Sequence, residues 1–315
     1  MGAGGVSEGA TSLKILVTGG YGAVGTPLVQ ELRQRGHEVW VADRGHSYQA
    51  HYMRCDIGEF RQVEALFDRQ TFDFVYHLAA EFGRWNGEDF YETMWKSNAI
   101  GTKHMIRMQE RLGFRMVFTS SSEVYGDYRG VMTEEVLETT PIRQMNDYAI
   151  SKWVSEMQIM NSADMFGTET VRVRLFNTYG PGEYYSPYRS VICRWIYHAL
   201  HGEPYVVYTN HRRTSTYIDD TARTLANITD TFKPGEVYNI TGSSLHDMKT
   251  PSDIILAQLG LDDSLVTYRD HEPQTTREKI VDGSKGRRDL DMRTTVDLEE
   301  GIARTIAWQR GVYCA

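Results

Sequence analysis

The chain has 315 residues, 41% of them hydrophobic, enough for one large core with a smaller lobe beside it. Its formal net charge of −8 is spread along the sequence without an acidic or basic tail, which argues against a nucleic-acid surface. No apolar run reaches the roughly 18 residues of a membrane span. Cys55, Cys193 and Cys314 stand far apart, without a Cys-x-x-Cys or Cys/His cluster, and support neither a disulfide framework nor a metal site.

Residues 1–12 are rich in Gly, Ala and Ser and lack an apolar segment. They read as a flexible leader rather than a secretion signal, so a cytoplasmic setting is expected. Lys14–Thr18 is the first predicted strand, followed by a helix over Thr26–Arg35 that Gly36 closes. Glu38–Ala42 is a second strand, Gln62–Arg69 a helix and Phe74–Leu78 another strand. Phe90–Leu112 reads as one long helix, followed by a strand over Arg115–Thr119. A helix over Tyr148–Met165 and a strand over Thr170–Leu175 complete the regular part. The strands are continuous apolar runs alternating with helices. This pattern predicts an α/β fold, a doubly wound parallel sheet with helices on both faces. After Phe176, Gly and Tyr become frequent and the strands shorten, as at Tyr205–Tyr208 and Val237–Ile240.

Directly after the first strand comes Thr18-Gly-Gly-Tyr-Gly-Ala-Val-Gly25, which opens a helix. Glycines there let the backbone turn tightly and approach a pyrophosphate held at the helix N-terminus. Gly19, Gly22, Ala23, Val24 and Gly25 are therefore candidate cofactor contacts. Asp43 ends the second strand, where a carboxylate accepts hydrogen bonds from ribose hydroxyls and repels a 2′-phosphate. That favours NAD over NADP, while Arg44 next to it leaves NADP open. Asp56, with Ile57 beside it, is expected at the adenine edge. The expected layout is a Rossmann dinucleotide-binding domain over 13–176, interleaved with later segments, and a smaller substrate lobe over 177–315.

Tyr148-Ala-Ile-Ser-Lys152 puts a phenol and an ammonium on one helical face. A lysine neighbour favours the phenolate and makes Tyr148 a candidate general base. A hydroxyl from Thr119-Ser-Ser-Ser122, at a strand end, is placed to share the substrate proton.

TGGYGAVG (18–25), Asp43, HLAA (77–80), SNAIGT (97–102), SSSEVYG (120–126), YAISK (148–152), RLFNTYGPG (174–182) and RRTSTYIDD (212–220) occur in this order. With them the chain resembles the extended short-chain dehydrogenases/reductases of the nucleotide-sugar epimerase/dehydratase family. The resemblance implies that NAD oxidises a sugar at C4 and that the 4-keto sugar is then epimerised, dehydrated or decarboxylated. It implies Tyr148 as base, Lys152 as its helper and Ser121 as hydrogen-bond partner. Leu78, Ala79, Ala80 and Asn98 would lie beside the cofactor. Asn177, Arg213 and Arg277 would hold a nucleotide diphosphate, with Ser122 near the sugar. Simple 4-epimerases of the family usually lack an acid at Glu123, whereas dehydratases and decarboxylases usually carry one. Two readings of Glu123 stay open, a C5 base or a member of a hydrogen-bond network. Arg84 lies in Glu81-Phe-Gly-Arg-Trp-Asn-Gly87, where the family usually has a small loop. It either meets an acidic sugar group or sits on the surface. The resemblance also implies a homodimer built on the helices carrying Met94, Trp95, Met105, Trp153 and Met157. A catalytically silent NAD-binding module is the contrasting expectation, disfavoured by the intact Ser121, Tyr148 and Lys152.

Overall fold

A computed structural model describes residues 12–314. The expected leader lies outside the described residues except for Ser12. The core is a seven-stranded, all-parallel sheet. Its strands are β1 (Lys14–Thr18), β2 (Glu38–Asp43), β3 (Tyr52–Arg54), β4 (Phe74–His77), β5 (Arg115–Ser121), β6 (Thr170–Leu175) and a last strand, Val237–Ile240. The spatial order runs Val237–Ile240, β6, β5, β4, β1, β2, β3. The order therefore reverses between β1 and β4. Chains leaving those two strands diverge to opposite sides and open a crevice at the carboxyl ends of the sheet.

Both faces of the sheet are covered, as the continuous apolar strands require. On one face α1 (Gly25–Gln34) lays Leu28, Val29 and Leu32 against Leu225 and Ile228 of the helix Ile218–Thr231. On the other, α2 (Phe60–Arg69) contributes Val63, Leu66 and Phe67. Residues past 176 thus return to the first layer. The remaining C-terminal elements build a separate core. There the helices Val191–His201, Lys249–Leu259 and Leu298–Tyr313 pack around Trp195, Ile196, Ile255 and Ile302.

A short helix α3 (Arg84–Asp89) precedes the long helix expected over Phe90–Leu112, which runs without interruption as α4 (Tyr91–Trp95), a π-helical turn over Lys96–Ile100 and α5 (Gly101–Leu112). Phe90, at φ −134° and ψ 51°, separates the first two. The wide π turn carries Asn98, whose amide binds both the N–H and the carbonyl of Glu81. Such turns commonly mark functional sites. Met94 and Met105 are fully buried within the chain, so neither is available to a dimer contact. Among the described residues no helix is long and apolar enough to cross a membrane.

Candidate active site

The glycine-rich turn leaves β1 at the crevice. Gly19 has φ +70°, and a Cβ on it would sit 2.8 Å from the Ala79 nitrogen. A Cβ on Gly25 would sit 2.2 Å from the Gly19 carbonyl oxygen. Only glycines let this loop fold onto itself and set α1 close behind it. Val24 caps α1 without any side-chain hydrogen bond, so the helix end faces the crevice unshielded. Gly19, Gly22, Ala23, Val24 and Gly25 line a cavity of about 310 Å³, with Leu78 and Ala80 on its floor. Ala79 is tied behind them to the Thr18 hydroxyl at 3.3 Å.

At the outer end, the Asp43 carboxylate accepts the N–H groups of Tyr21 (3.1 Å) and Arg44 (2.7 Å). The Arg44 guanidinium is drawn to Glu81 at 3.0 Å. Asp56 uses one oxygen to accept the Gly58 N–H at 2.9 Å and form a local turn. Ile57 is buried beside it.

The reacting end is built on β5 and the helix Asp147–Phe166. Asn146 caps that helix by accepting the Ala149 N–H at 2.8 Å, which fixes the first turn and hence Tyr148. Tyr148 is buried and lines the cavity together with Ser121, whose hydroxyl draws the phenol's pKa down. Lys152, one turn further, donates to the Thr119 carbonyl at 2.9 Å and lies 5.1 Å from the Phe118 ring centre. Burial drops its ammonium to about 7, with Glu156 opposing the fall. The expected phenolate is not present in the chain by itself. Burial pushes the Tyr148 phenol up, the Ser121 hydrogen bond pulls it down, and the Glu123 charge raises it further. Lys152, held by Thr119, does not offset this. Asn98 also departs from expectation. It is buried at the π turn, bonded to Glu81 and to the Ser151 hydroxyl, and orders the loop over the cavity rather than lining it.

Glu123 points into the cavity and forms an ion pair with Lys279, whose side chain is 2% exposed. The Lys279 nitrogen also lies 3.4 Å from the Ser122 hydroxyl. Burial works against the Glu123 charge. Lys279, Arg84 and Arg213 outweigh it and hold the carboxyl down at about 2. Lys279 itself is pushed down to about 8 by burial, with Glu123 opposing. The depressed carboxyl stabilises the fold above its ordinary value of 4.5, and that contribution is lost as pH falls through 2. Acid unfolding followed by circular dichroism is expected to show this loss in the wild-type chain. The Glu123→Gln variant should lack that part of the pH dependence.

Arg84 is not a free surface residue. It lines the cavity and reaches across to Glu272 at 2.8 Å, which latches the loop 81–90 to the C-terminal lobe. Asn177 lines the cavity in a left-handed conformation (φ 42°) and donates to the Thr214 carbonyl at 2.8 Å. Arg213 also lines it, but its guanidinium donates to the carbonyls of Arg212, Thr276 and Arg277 and to the Thr275 hydroxyl. Arg277 departs from expectation. Its side chain is 57% exposed, pairs with Asp270 at 3.3 Å and does not line the cavity. Lys279, two residues on in the same irregular stretch, is instead buried against Glu123. Lys279, Glu272 and Arg194 are cavity or near-cavity charges that no motif spacing announces. They reach the site only through the lobe's packing.

A closed glycine turn at a sheet's switch point, an acid at the end of the next strand and a buried Ser–Tyr–Lys group define a Rossmann-fold enzyme of the short-chain dehydrogenase/reductase class. The chain belongs to the NAD dependent epimerase/dehydratase family, whose model matches residues 15–241. The dTDP-glucose 4,6-dehydratase of Salmonella typhimurium is 27% identical, over 94% of this chain and 92% of its own length. The UDP-N-acetyl-alpha-D-glucosaminuronate decarboxylase of Bacillus cytotoxicus is 28% identical, over 95% of this chain and 98% of its own. MoeE5, solved in complex with UDP-glucuronic acid and NAD, superposes with a TM-score of 0.84 at 27% identity, covering 95% of this chain and 99% of that one.

The cofactor is NAD, and the crowded glycine turn and the uncapped α1 fit it. Asp43→Ala is expected to weaken NAD binding about tenfold or more by removing a charged acceptor. Titration followed by NADH fluorescence reads this directly. Unchanged affinity would place the ribose elsewhere.

Proposed function

We propose that this enzyme takes a nucleotide-diphosphate sugar through a 4-keto intermediate and eliminates water across C5 and C6, as a 4,6-dehydratase. The observation that carries this reading is the Glu123–Lys279 pair set in the same cavity as the Ser121–Tyr148 couple. Bound NAD supplies the hydride acceptor at the start and the hydride donor at the end. With the positive nicotinamide ring of bound NAD favouring its phenolate, Tyr148 takes the proton of the sugar 4-hydroxyl, and Ser121 holds that hydroxyl in line. The 4-ketone acidifies the C5 hydrogen, and the Glu123 carboxylate takes it as a proton. Ser122 stands where the glucose dehydratases of the family carry an acid. Lys279, beside Ser122, protonates the departing 6-hydroxyl. Glu123 then returns its proton to C5 as the hydride of the bound cofactor enters C6, and the proton that Tyr148 took from the 4-hydroxyl is released to solvent while Lys279 takes one up.

The second reading is decarboxylation of a nucleotide uronate. Arg84 and Lys279 favour it, because two buried cations beside Glu123 suit a sugar carboxylate. A panel of nucleotide sugars, with product masses read by mass spectrometry, separates the two. Loss of water supports the dehydratase, loss of carbon dioxide the decarboxylase, and unchanged mass with a new retention time an epimerase. No turnover of any sugar would leave the silent-module reading.

We also propose a homodimer. Ile150 and Met157 lie seven residues apart on one face of the helix Asp147–Phe166, and both are exposed, as is Ile100 at the π turn. The division into a dinucleotide-binding part up to about 176 and a substrate lobe after it rests on the separate C-terminal core.

A further inference from the structure

We propose that Arg194 is the residue that grips the diphosphate of the nucleotide sugar, a role that rests on the nucleotide-sugar reading above. Arg194 sits in the first turn of the helix Val191–His201 and lines the cavity. Its Nε is buried and has no hydrogen-bond partner among the described residues. Every other buried cation of the site is engaged. Arg84 holds Glu272, Lys279 holds Glu123, and Arg213 is spread over three carbonyls. A guanidinium Nε sealed from water without an acceptor is costly, and a half-buried arginine that keeps one suits an anion that arrives from outside.

The chain's own acids do not fill that place. Glu272 is occupied by Arg84. Glu183, the other buried acid nearby, accepts the N–H and the hydroxyl of Ser190 at 2.9 and 2.6 Å. Ser190 in turn accepts the Cys193 N–H, so the helix end is capped from within.

Position selects the anion. Glu123, at the reacting end, lies in the field of Lys279, Arg84 and Arg213. Arg194 stands instead on the helix Val191–His201 of the C-terminal lobe, a different element from the strand and helix that carry Ser121 and Tyr148. An anion there belongs to the handle of the substrate rather than to its sugar. A planar guanidinium with several donors suits the oxygens of a diphosphate. Arg194 therefore does what Arg277, turned out to Asp270, does not.

The test is calorimetric titration of the NAD-loaded protein with UDP, dTDP, GDP and CDP and with the matching monophosphates. For wild type, at least one diphosphate is expected to bind tenfold or more tightly than its monophosphate. Arg194→Leu should weaken diphosphate binding at least tenfold, leave monophosphate binding within about threefold, and keep NAD affinity; Arg194→Lys should fall between. If Arg194→Leu loses NAD binding, Arg194→Gln carries the comparison. Diphosphate affinity unchanged in the variants overturns the proposal. A loss seen only with UDP-glucuronate, and not with UDP, also overturns it and moves Arg194 to the sugar carboxylate. A wild-type protein that binds no nucleoside diphosphate overturns the nucleotide-sugar reading itself.

Discussion

Tyr148→Phe is expected to lower turnover on the productive nucleotide sugar about 10³-fold, within the range by which a positioned base accelerates proton transfer. The ring stays and only the phenolic oxygen goes. Packing against Phe82, whose ring centre lies 5.6 Å away, is kept, so the fold and NAD affinity should not change. The effect should fall on kcat rather than on KM, because the proton moves only in the transition state. Ser121→Ala should cost less, since a hydroxyl that shares the proton is easier to replace by water than the group that takes it. The order of the two losses is the informative result. Equal activity of wild type and Tyr148→Phe would remove the base from this site.

Glu156→Ala is expected to destabilise the chain by about 3–5 kcal/mol, the cost of leaving a buried charge without its partner. Glu156 is fully buried on the helix that carries Tyr148 and Lys152. Its carboxylate accepts the Ser120 hydroxyl at 2.5 Å and two nitrogens of Arg174 at 3.1 and 2.9 Å. Arg172 stands at 3.4 Å. The Arg174 side chain, 1% exposed, has no route to water once the carboxylate is gone. It keeps only the Tyr125 hydroxyl and the Glu134 carbonyl, which are neutral. Urea unfolding should show the midpoint falling with little change in slope. A loss below about 1 kcal/mol would mean that water enters and solvates the arginines. The same carboxylate anchors Ser120, beside Ser121, and acts through space on Lys152. Activity should therefore fall even under conditions where the variant remains folded.

The structure joins these two results. One helix holds the phenol and the ammonium at its start and, a turn after Lys152, the acid that locks it to β5 and β6. The Asn146 cap fixes the register of the helix, and Glu156 fixes its depth. Tyr148 meets Ser121 because both constraints hold together.

Short-range physics made much of this protein legible in its sequence. Continuous apolar strands between amphipathic helices can be satisfied only by a doubly covered parallel sheet. The glycines at 19, 22 and 25 and the acid at 43 are properties of one turn and the next strand, so spacing along the chain is spacing in space. Tyr148 and Lys152 share one helix face for the same reason. What joins separate segments was decided by the tertiary structure alone. The pairing of Lys279 with Glu123 and of Arg84 with Glu272 brings together residues that no periodicity relates. The outward turn of Arg277 and the open guanidinium of Arg194 follow from how the C-terminal lobe seats its strands and helices against the sheet. Likewise the π turn within the helix 91–112 carries Asn98 to the Glu81 backbone, a tertiary contact that local helix propensity does not announce. Charge is the property a sequence locates least, because its effect depends on which partner and how much water the fold places beside it.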